Sequence, residues 1–200
     1  MEKRVLFIGG SPCSGKSTIA ERISKEFGAH YFKVDDFLDK FVSMAADRGC
    51  PACKRSAAMT ADEIWLREPS IQCEDEFLIY EEISELVFEH LGHIETDFIV
   101  TEGAAYTPDV MEKYRAKECL SIIPTPDFQI AHYKKREWVP YILEGCSDKQ
   151  QAFDNWMKRD ILFAGQVQAA CEKKGIPCIV NDGIRTPNEM FDIVKEFFNL

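Results

Sequence analysis

Short apolar runs alternate along this chain with stretches in which apolar residues recur at helical spacing. The runs are four to six residues long and bounded by turn formers, which predicts buried strands at 5–8, 30–34, 98–101, 118–123 and 177–180. Helical spacing separates them, as in the stretch 19–27, which ends at Gly28. The alternation predicts an α/β fold of three layers, with a parallel five-stranded sheet and helices on both faces.

A glycine-rich segment connects the first predicted strand to the first predicted helix. Its sequence, Gly10-Ser11-Pro12-Cys13-Ser14-Gly15-Lys16-Ser17, fits the phosphate-loop pattern G-x-x-x-x-G-K-[ST]. The glycines let backbone N–H groups turn toward phosphate oxygens, Lys16 can reach the β- and γ-phosphates, and the Ser17 hydroxyl can hold Mg²⁺. We therefore predict a nucleotide-binding loop made of Gly10, Ser11, Cys13, Ser14, Gly15, Lys16, Ser17 and Thr18.

Acidic residues follow the second and third predicted strands. Asp35 and Asp36 follow the second strand and Glu102 follows the third, so all three should border the same crevice as the phosphate loop. Asp35 could accept a proton from a hydroxyl that attacks the γ-phosphate, and Glu102 could hold Mg²⁺ together with Ser17. The alternative for each acid is helix capping. We favour Asp35 as the catalytic base and Glu102 as a metal residue.

The regular alternation is interrupted over residues 43–75. Within this segment Thr60 begins a short helix with a capping box, and Pro69 is predicted to interrupt that helix. A strongly periodic helix over 77–91 follows. We predict that an insertion over about 40–92 forms part of the site for a second substrate, the phosphoryl acceptor.

Basic residues in and after this insertion are candidates for binding charged groups. Arg48, Lys54 and Arg55 could bind an anionic acceptor, since arginine makes bidentate contacts with carboxylates and phosphates, or they could be ordinary solvated residues.

A second basic region, at about 126–160, is predicted to be a lid. Lys135, Arg136 and Arg159 could contact the transferred group, or could be solvated like most basic residues on helices, and we assign catalytic roles to Lys16, Arg136 and Arg159. Arg185, in the loop after the fifth strand, could stack on adenine or lie on the surface.

Composition and charge limit the class of protein. The 200 residues are 46% hydrophobic and 29% charged, which suits one globular domain over 1–200. A net charge of −10 makes nucleic acid a poor partner. We find neither an apolar run long enough to cross a membrane nor a signal peptide, and therefore expect a cytoplasmic protein. The sequence carries no indication of the oligomeric state.

Eight cysteines are present, and in a cytoplasmic protein we expect reduced thiols. Cys50 and Cys53 have C-x-x-C spacing, which is also found in half-sites for zinc and in redox pairs. Cys73 is the nearest residue that could act as a third ligand. Because no second such pair follows, we favour structural thiols.

These motifs resemble those of P-loop kinases of the nucleoside-monophosphate-kinase-like group. The phosphate loop over 10–18 matches strongly, Val34-Asp35-Asp36-Phe37 resembles the motif of uridine kinase and nicotinamide riboside kinase in which the first Asp is the base, and Thr101-Glu102-Gly103 is similar to their third-strand motif. The Asp placement also resembles that of chloramphenicol phosphotransferase-like, gluconate kinase-like and zeta-toxin-like enzymes. The chain departs from these families in its cysteine-bearing insertion and lacks a recognisable arginine-rich lid.

The resemblance implies a P-loop NTPase fold with strand order 2-3-1-4-5 and transfer of the γ-phosphoryl group of ATP, with Mg²⁺, to a hydroxyl of a small-molecule acceptor. The acceptor itself is not implied, although the basic residues suggest an anionic one. An alternative is a regulatory protein that binds or slowly hydrolyses ATP without an acceptor. A GTPase is disfavoured because no N-K-x-D motif follows the fourth strand. A third possibility, an inactive kinase-like protein that binds a partner protein, is disfavoured by the intact Lys16, Ser17, Asp35 and Glu102.

Overall fold

A parallel five-stranded sheet forms the centre of the computed structural model, which describes residues 3–200. Its strands are β1 (Arg4–Gly9), β2 (His30–Lys33), β3 (Phe98–Glu102), β4 (Glu118–Pro124) and β5 (Cys178–Asn181). The order across the sheet is β2-β3-β1-β4-β5, and each neighbouring pair is parallel. The predicted sheet and strand order are therefore confirmed.

The helices connect these strands and cover the sheet. A 3₁₀ turn, Val34–Phe37, follows β2 directly. The α-helices are α1 (Lys16–Phe27), α2 (Leu38–Asp47), α3 (Pro51–Ala58), α4 (Ala61–Trp65), α5 (Pro69–His93), α6 (Pro108–Lys113), α7 (Pro126–Tyr133), α8 (Val139–Ile142), α9 (Lys149–Lys174) and α10 (Pro187–Phe197). None of these helices combines the length and the apolar character that crossing a bilayer requires.

Alternate residues of each strand pack on opposite faces of the sheet, since successive side chains of a strand point in opposite directions. On one face, Leu6 and Ile8 of β1 pack in a core with α1 and α10. On the other face, Phe7 of β1 packs in a larger core with α5 and α9. The sheet is thus covered on both sides, as the sequence predicts.

The register of the sheet brings the ends of three strands together. Lys33 at the end of β2 lies beside Glu102 at the end of β3, and Ile8 of β1 lies on the other side of Glu102. The phosphate loop begins immediately after β1. The acidic residues of β3 and of the turn after β2 therefore border the same crevice as the loop.

The segment between β2 and β3 is almost entirely helical. Thr60 caps α4 with the predicted capping box, in which its hydroxyl accepts a hydrogen bond from the backbone N–H of Glu63. The prediction that Pro69 interrupts a helix is wrong. The helix α4 has already ended at Trp65, and Pro69 is the first residue of α5. Proline is well tolerated there, because the first N–H of a helix has no partner within the helix. The helix predicted over 77–91 therefore begins earlier than expected, at Pro69, and α5 is 25 residues long.

A small third core lies beside the carboxyl end of the sheet. It is formed by the end of α7, by α8 and by the first half of α9, with Tyr133, Val139 and Trp156 among its buried residues. Trp65 of α4 packs against it. This core carries α8 and the residue before it, so that Ile142 and Trp138 line the crevice.

Candidate nucleotide and acceptor sites

The phosphate loop has a backbone that only glycine adopts easily at two of its positions. Gly10 and Gly15 have φ angles of 111° and 95°. A Cβ atom on Gly10 would lie 2.0 Å from the backbone oxygen of Ile122, so no side chain fits there. Cys13 also has a positive φ, 59°, although it is not glycine. Left-handed residues in such a loop turn backbone N–H groups toward an anion, as phosphate binding requires.

Lys16, the first residue of α1, is held inside this loop. Its side chain is only 5% exposed, and its Nζ donates hydrogen bonds to the Ser11 backbone oxygen at 2.7 Å and the Ser14 Oγ at 3.5 Å. The ammonium is thus fixed across the loop by neutral oxygens, with no carboxylate among these partners. A phosphate bound in the loop would be the anion that balances this buried charge.

Glu102 lies beside the loop and is 1% exposed. Its Oε1 accepts hydrogen bonds from the hydroxyls of Ser17 and Tyr31, both at 2.9 Å. Its Oε2 is buried and has no hydrogen-bond partner among the residues that the structure describes. A buried carboxylate oxygen without a partner is costly, and Mg²⁺ prefers oxygen ligands. The donor set of Ser17 and Glu102 therefore fits a magnesium ion. The capping alternative fails for Glu102, because Thr107 caps α6.

Tyr31 is a residue of this site that the sequence analysis missed. Burial raises its pKa above the ordinary value, and the neighbouring Glu102 charge raises it further. Tyr31 therefore stays protonated and holds the carboxylate from the β2 side. The only signal in the sequence is its position on the strand that precedes Asp35, which by itself predicts an ordinary strand residue.

Asp35 lies in the 3₁₀ turn after β2 and lines the same cleft as Lys16 and Glu102. The residue is exposed and lines the cleft, and protein atoms surround much of its carboxylate. This surrounding protein raises the pKa of Asp35, the charge of Lys16 opposes that rise, and the charge of Glu102 adds to it. Neither Asp35 nor Asp36 caps a helix, since the residues at the cap positions, Lys33 and Phe37, make no side-chain cap hydrogen bond.

The cleft around Asp35 has a volume of about 540 Å³ and brings together most of the predicted site residues. One side is the phosphate loop with Lys16, Ser17 and Glu102. The opposite side comes from α5 and α7–α9. The residues lining this opposite side and the floor are Lys33, Asp35, Asp36, Leu38, Tyr80, Ala104, Tyr133, Arg136, Trp138, Ile142, Trp156 and Arg159.

Arg159 reaches the cleft from α9, but its charge is already engaged. Its Nη1 lies 2.7 Å from Glu76 Oε2, and its Nη2 and Nε lie 2.7 and 2.8 Å from Asp160 Oδ1. The hydroxyl of Tyr80 donates to Glu76, and that of Tyr133 donates to Asp160. These two carboxylates fix Arg159 in the wall of the cleft, so it is part of a buried network rather than of a mobile lid.

Arg136, just after α7, is exposed and lines the cleft at its mouth. Its guanidinium carbon lies 5.4 Å from the centre of the Trp138 ring and 5.8 Å from that of Tyr133. It also lines a second cavity on the other side of the loop. Arg136 is therefore positioned between the two cavities, whereas Lys135 lines neither of them.

The second cavity, about 580 Å³, lies between the phosphate loop and the loop after β5. Arg185, which is exposed, lines it together with Ile184. Phe128 also lines it, and its ring stacks on that of His132 with 3.9 Å between the ring centres. Buried Asn181 joins the two loops, because its Nδ2 donates to the Ser14 backbone oxygen at 3.0 Å. An open, partly aromatic cavity next to a phosphate loop suits a nucleotide base.

The basic residues of the insertion do not reach the cleft. Arg48 pairs with Glu89 at 3.6 Å and Arg55 pairs with Asp75 at 2.9 Å. Lys54 is exposed and is not among the residues lining the cleft. The expectation that these residues could bind an anionic acceptor is not supported, because Arg48 at the end of α2 and Lys54 and Arg55 on α3 all lie outside the lining of the cleft.

Cys50 and Cys53 lie at the start of α3. Cys53 is buried, and Glu82 accepts hydrogen bonds from its backbone N–H and from that of Ala52, at 2.8 and 2.9 Å. Burial, with Glu82 nearby, raises the pKa of the Cys53 thiol to about 12. No three His, Cys, Asp or Glu side chains within residues 3–200 form a group suited to a metal ion. A protonated, buried thiol fits a structural role.

Neither a protein-family model nor a curated protein sequence matches the chain. Solved structures do resemble it over nearly its whole length. An uncharacterized protein from Eubacterium ventriosum has a TM-score of 0.51 and 14% identity, covering 98% of this chain and 99% of that chain. The protein TT1252 from Thermus thermophilus has a TM-score of 0.50 and 16% identity, covering 98% of each chain.

A shikimate kinase from Bacteroides thetaiotaomicron resembles the chain less, with a TM-score of 0.46 and 15% identity over 98% of both chains. At these identities the likeness concerns the fold alone. The strand order, the phosphate loop and its flanking strand and helix together define the P-loop NTPase fold.

Proposed function

We propose that this protein is an ATP-dependent kinase that transfers the γ-phosphoryl group to a hydroxyl of a small molecule. The observation that carries the proposal is the cleft in which Lys16, Glu102 and Asp35 lie together. A regulatory ATP-binding protein needs the first two residues for the nucleotide. It has no use for an accessible carboxylate across a cavity of about 540 Å³.

The nucleotide is expected to bind with its phosphates in the loop and its base in the cavity beside Asn181 and Arg185. Lys16 then neutralises the β- and γ-phosphates. Bound Mg²⁺ would be held by Ser17 and Glu102, directly or through water, and would neutralise further charge on the phosphate oxygens. Arg136, at the mouth between the two cavities, is positioned to contact the transferred group.

The transfer itself is a displacement at phosphorus. The acceptor hydroxyl oxygen forms a bond to the γ-phosphorus, while the bond from that phosphorus to the β,γ-bridging oxygen breaks and leaves its electron pair on ADP. The hydroxyl proton passes to the carboxylate of Asp35. The products are the phosphorylated acceptor, ADP and one proton. The contribution of the protein is positioning and charge stabilisation.

The test is ATP turnover against a panel of nucleosides, sugars and small acids, comparing Asp35→Asn with the unaltered protein. We expect the variant to lose about 10²- to 10⁴-fold in kcat, because it removes the base, while it still binds MgATP. Asp39→Asn, an exposed acid on α2, is the matched control and should retain full turnover.

The pH profile gives a second readout. A protonated Asp35 cannot accept the proton, so kcat/KM should fall as the pH falls through the pKa of Asp35. Because the surrounding protein raises that pKa, the fall should be centred above 3.8, the ordinary value for aspartate. Unchanged turnover in Asp35→Asn, or ATP consumption that no acceptor stimulates, would instead favour the regulatory alternative.

A further inference from the structure

Three cations line the acceptor side of the cleft: Lys33, Arg136 and Arg159. The proposed function assigns Arg136 to the transferred phosphoryl group, and the other two are already paired. Arg159 contacts Glu76 and Asp160 through three of its nitrogens, at 2.7 to 2.8 Å. Lys33 contacts Asp36 at 3.0 Å. These ion pairs use the positive charge that a carboxylate or phosphate on the acceptor would need.

Carboxylates outnumber cations on this side. Asp35 and Asp36 line it, and Glu76 and Asp160 lie beside Arg159, which gives four negative charges. Lys33, Arg136 and Arg159 give three positive charges, so one negative charge is in excess, and two once Arg136 contacts the nucleotide. Lys16 lies in the loop, and the Arg136 guanidinium lies 5.4 Å from the centre of the Trp138 ring at the edge of this side. In the proposed function both cations contact the phosphates of the nucleotide. An anionic acceptor would therefore meet like charge without a free cation.

Exposed apolar side chains form the upper wall of the same side. Trp138 is 43% exposed and Ile142 is 46% exposed, and both line the cleft from the segment that carries α8. Leu38 of α2 also lines the cleft, and the buried Trp156 continues the wall, with its ring centre 5.9 Å from that of Trp138. Large apolar side chains exposed inside a cleft are typical of ligand sites, and indole rings pack well against flat groups.

We infer that the acceptor is an alcohol without an anionic group, whose flat apolar part packs against Trp138, Trp156 and Ile142 while its hydroxyl faces Asp35. The inference rests on the proposed kinase function and names its substrate class. It reverses the expectation of an anionic acceptor that the basic residues of the sequence suggest, since Arg48 and Arg55 pair with carboxylates outside the cleft and Arg159 is neutralised.

Tryptophan fluorescence can test this inference without any catalysis. The chain has three tryptophans, and all of them belong to one cluster: Trp65 and Trp156 are 4.7 Å apart, and Trp138 and Trp156 are 5.9 Å apart. A ligand that packs on Trp138 should therefore change most of the tryptophan signal. The protein is saturated with MgADP and titrated with matched pairs of alcohols that differ by one anionic group.

Three pairs provide the probes: 3-phenylpropane-1,2-diol with 3-phenyllactate, thymidine with thymidine 5′-monophosphate, and pyridoxine with 4-pyridoxate. We expect at least one neutral member to bind at least about tenfold more tightly than its anionic partner, because the like charge costs the partner affinity. The same compounds are then offered as acceptors with MgATP, and the preferred neutral member should be phosphorylated.

Two substitutions separate the charge argument from the packing argument. Glu76→Gln removes one of the carboxylates that neutralise Arg159 but keeps a hydrogen-bond acceptor for the Tyr80 hydroxyl. The preference for the neutral member should therefore shrink at least threefold.

Trp138→Ala should weaken binding of the neutral member about tenfold, and Trp138→Phe should restore most of that affinity. Tyr141→Ala is the matched control, since Tyr141 lies on α8 three residues after Trp138, is 73% exposed and does not line the cleft.

The inference is overturned if an anionic member binds as well as or better than its partner in every pair, or if no neutral member binds. Neither result bears on the kinase proposal when MgATP still binds and Lys16 is still needed for its turnover. Loss of MgATP binding in the unaltered protein would defeat the kinase proposal itself.

Discussion

The two sides of the cleft are built in different ways. The phosphate side comes from one continuous segment, residues 12–18, together with Glu102 at the end of β3. The acceptor side draws single residues from α5, α8, α9 and the turn after β2, which are far apart in the sequence. On the phosphate side Lys16 has only neutral oxygens as partners, whereas on the acceptor side Arg159 and Lys33 are paired with carboxylates.

This difference indicates where binding energy and folding energy are concentrated. A buried cation without a counter-ion is available to a ligand, and it contributes little to stability before the ligand arrives. A buried cation fixed by two carboxylates stabilises the wall in which it lies, and breaking such a set is strongly destabilising. Substitutions on the phosphate side should therefore impair turnover, and those in the Arg159 network should impair folding.

Within the phosphate loop, Lys16→Ala should have the largest effect, lowering kcat/KM by about 10³-fold, because the charge that stabilises the transferring phosphoryl group is removed. Thermal stability should change little. The measurement is steady-state ATP turnover together with a melting curve. Lys25→Ala, an exposed lysine on the same helix, is the control. A loss of stability without a loss of turnover would reverse the distinction between the two sides.

Arg159→Met should lower the free energy of unfolding by about 3 kcal/mol, because Glu76 and Asp160 lose the cation between them. For a chain of this size that corresponds to a fall of about 6–12 °C in Tm. Arg48→Met is the control, since its pair with Glu89 is half-exposed and should contribute about 0.5 kcal/mol or less. Equal shifts in the two variants would show that the Arg159 network does not stabilise the fold.

Glu102→Gln tests the metal site through its dependence on magnesium. The concentration of Mg²⁺ for half-maximal turnover should rise about 10- to 100-fold, since a neutral amide is a weaker ligand. Ser17 and Tyr31 can still donate to the amide oxygen, so the fold should be retained. Removing Mg²⁺ with a chelator should abolish turnover in both proteins. An unchanged Mg²⁺ requirement would exclude Glu102 from the metal site. Glu26→Gln, an exposed residue on α1, is the control and should keep the Mg²⁺ requirement of the unaltered protein.

Cys13→Gly should have the smallest effect and the opposite sign. Cys13 has a φ of 59°, which glycine adopts with less strain, so the variant should gain about 0.5 kcal/mol, equivalent to about 1–2 °C in Tm. Gly15→Ala, at a φ of 95° in the same loop, should lose about 1 kcal/mol. A lower Tm for Cys13→Gly would mean that the contacts of the thiol exceed the strain of its backbone.

The phosphate side was largely predictable from the sequence because its residues are contiguous. Gly10, Gly15 and Lys16 occur at fixed spacing, and the strand and helix beside them have clear periodicity. Asp35 and Glu102 were placed in the crevice by a rule of parallel sheets, in which strand ends meet at one edge. Their partners were less accessible, since nothing in the sequence connects Tyr31 with Glu102, 71 positions later.

The sequence by itself therefore determined the alternation of strands and helices, the strand order and the nucleotide loop. Only the tertiary structure decided which charges are free. Arg48, Arg55 and Arg159 are the same residue type in the sequence. The first two form ion pairs on the outer surface, whereas the third is enclosed by two carboxylates. The physical reason is that local propensity and periodicity act between near neighbours, whereas the charge available to a ligand depends on side chains that packing brings together from distant parts of the chain.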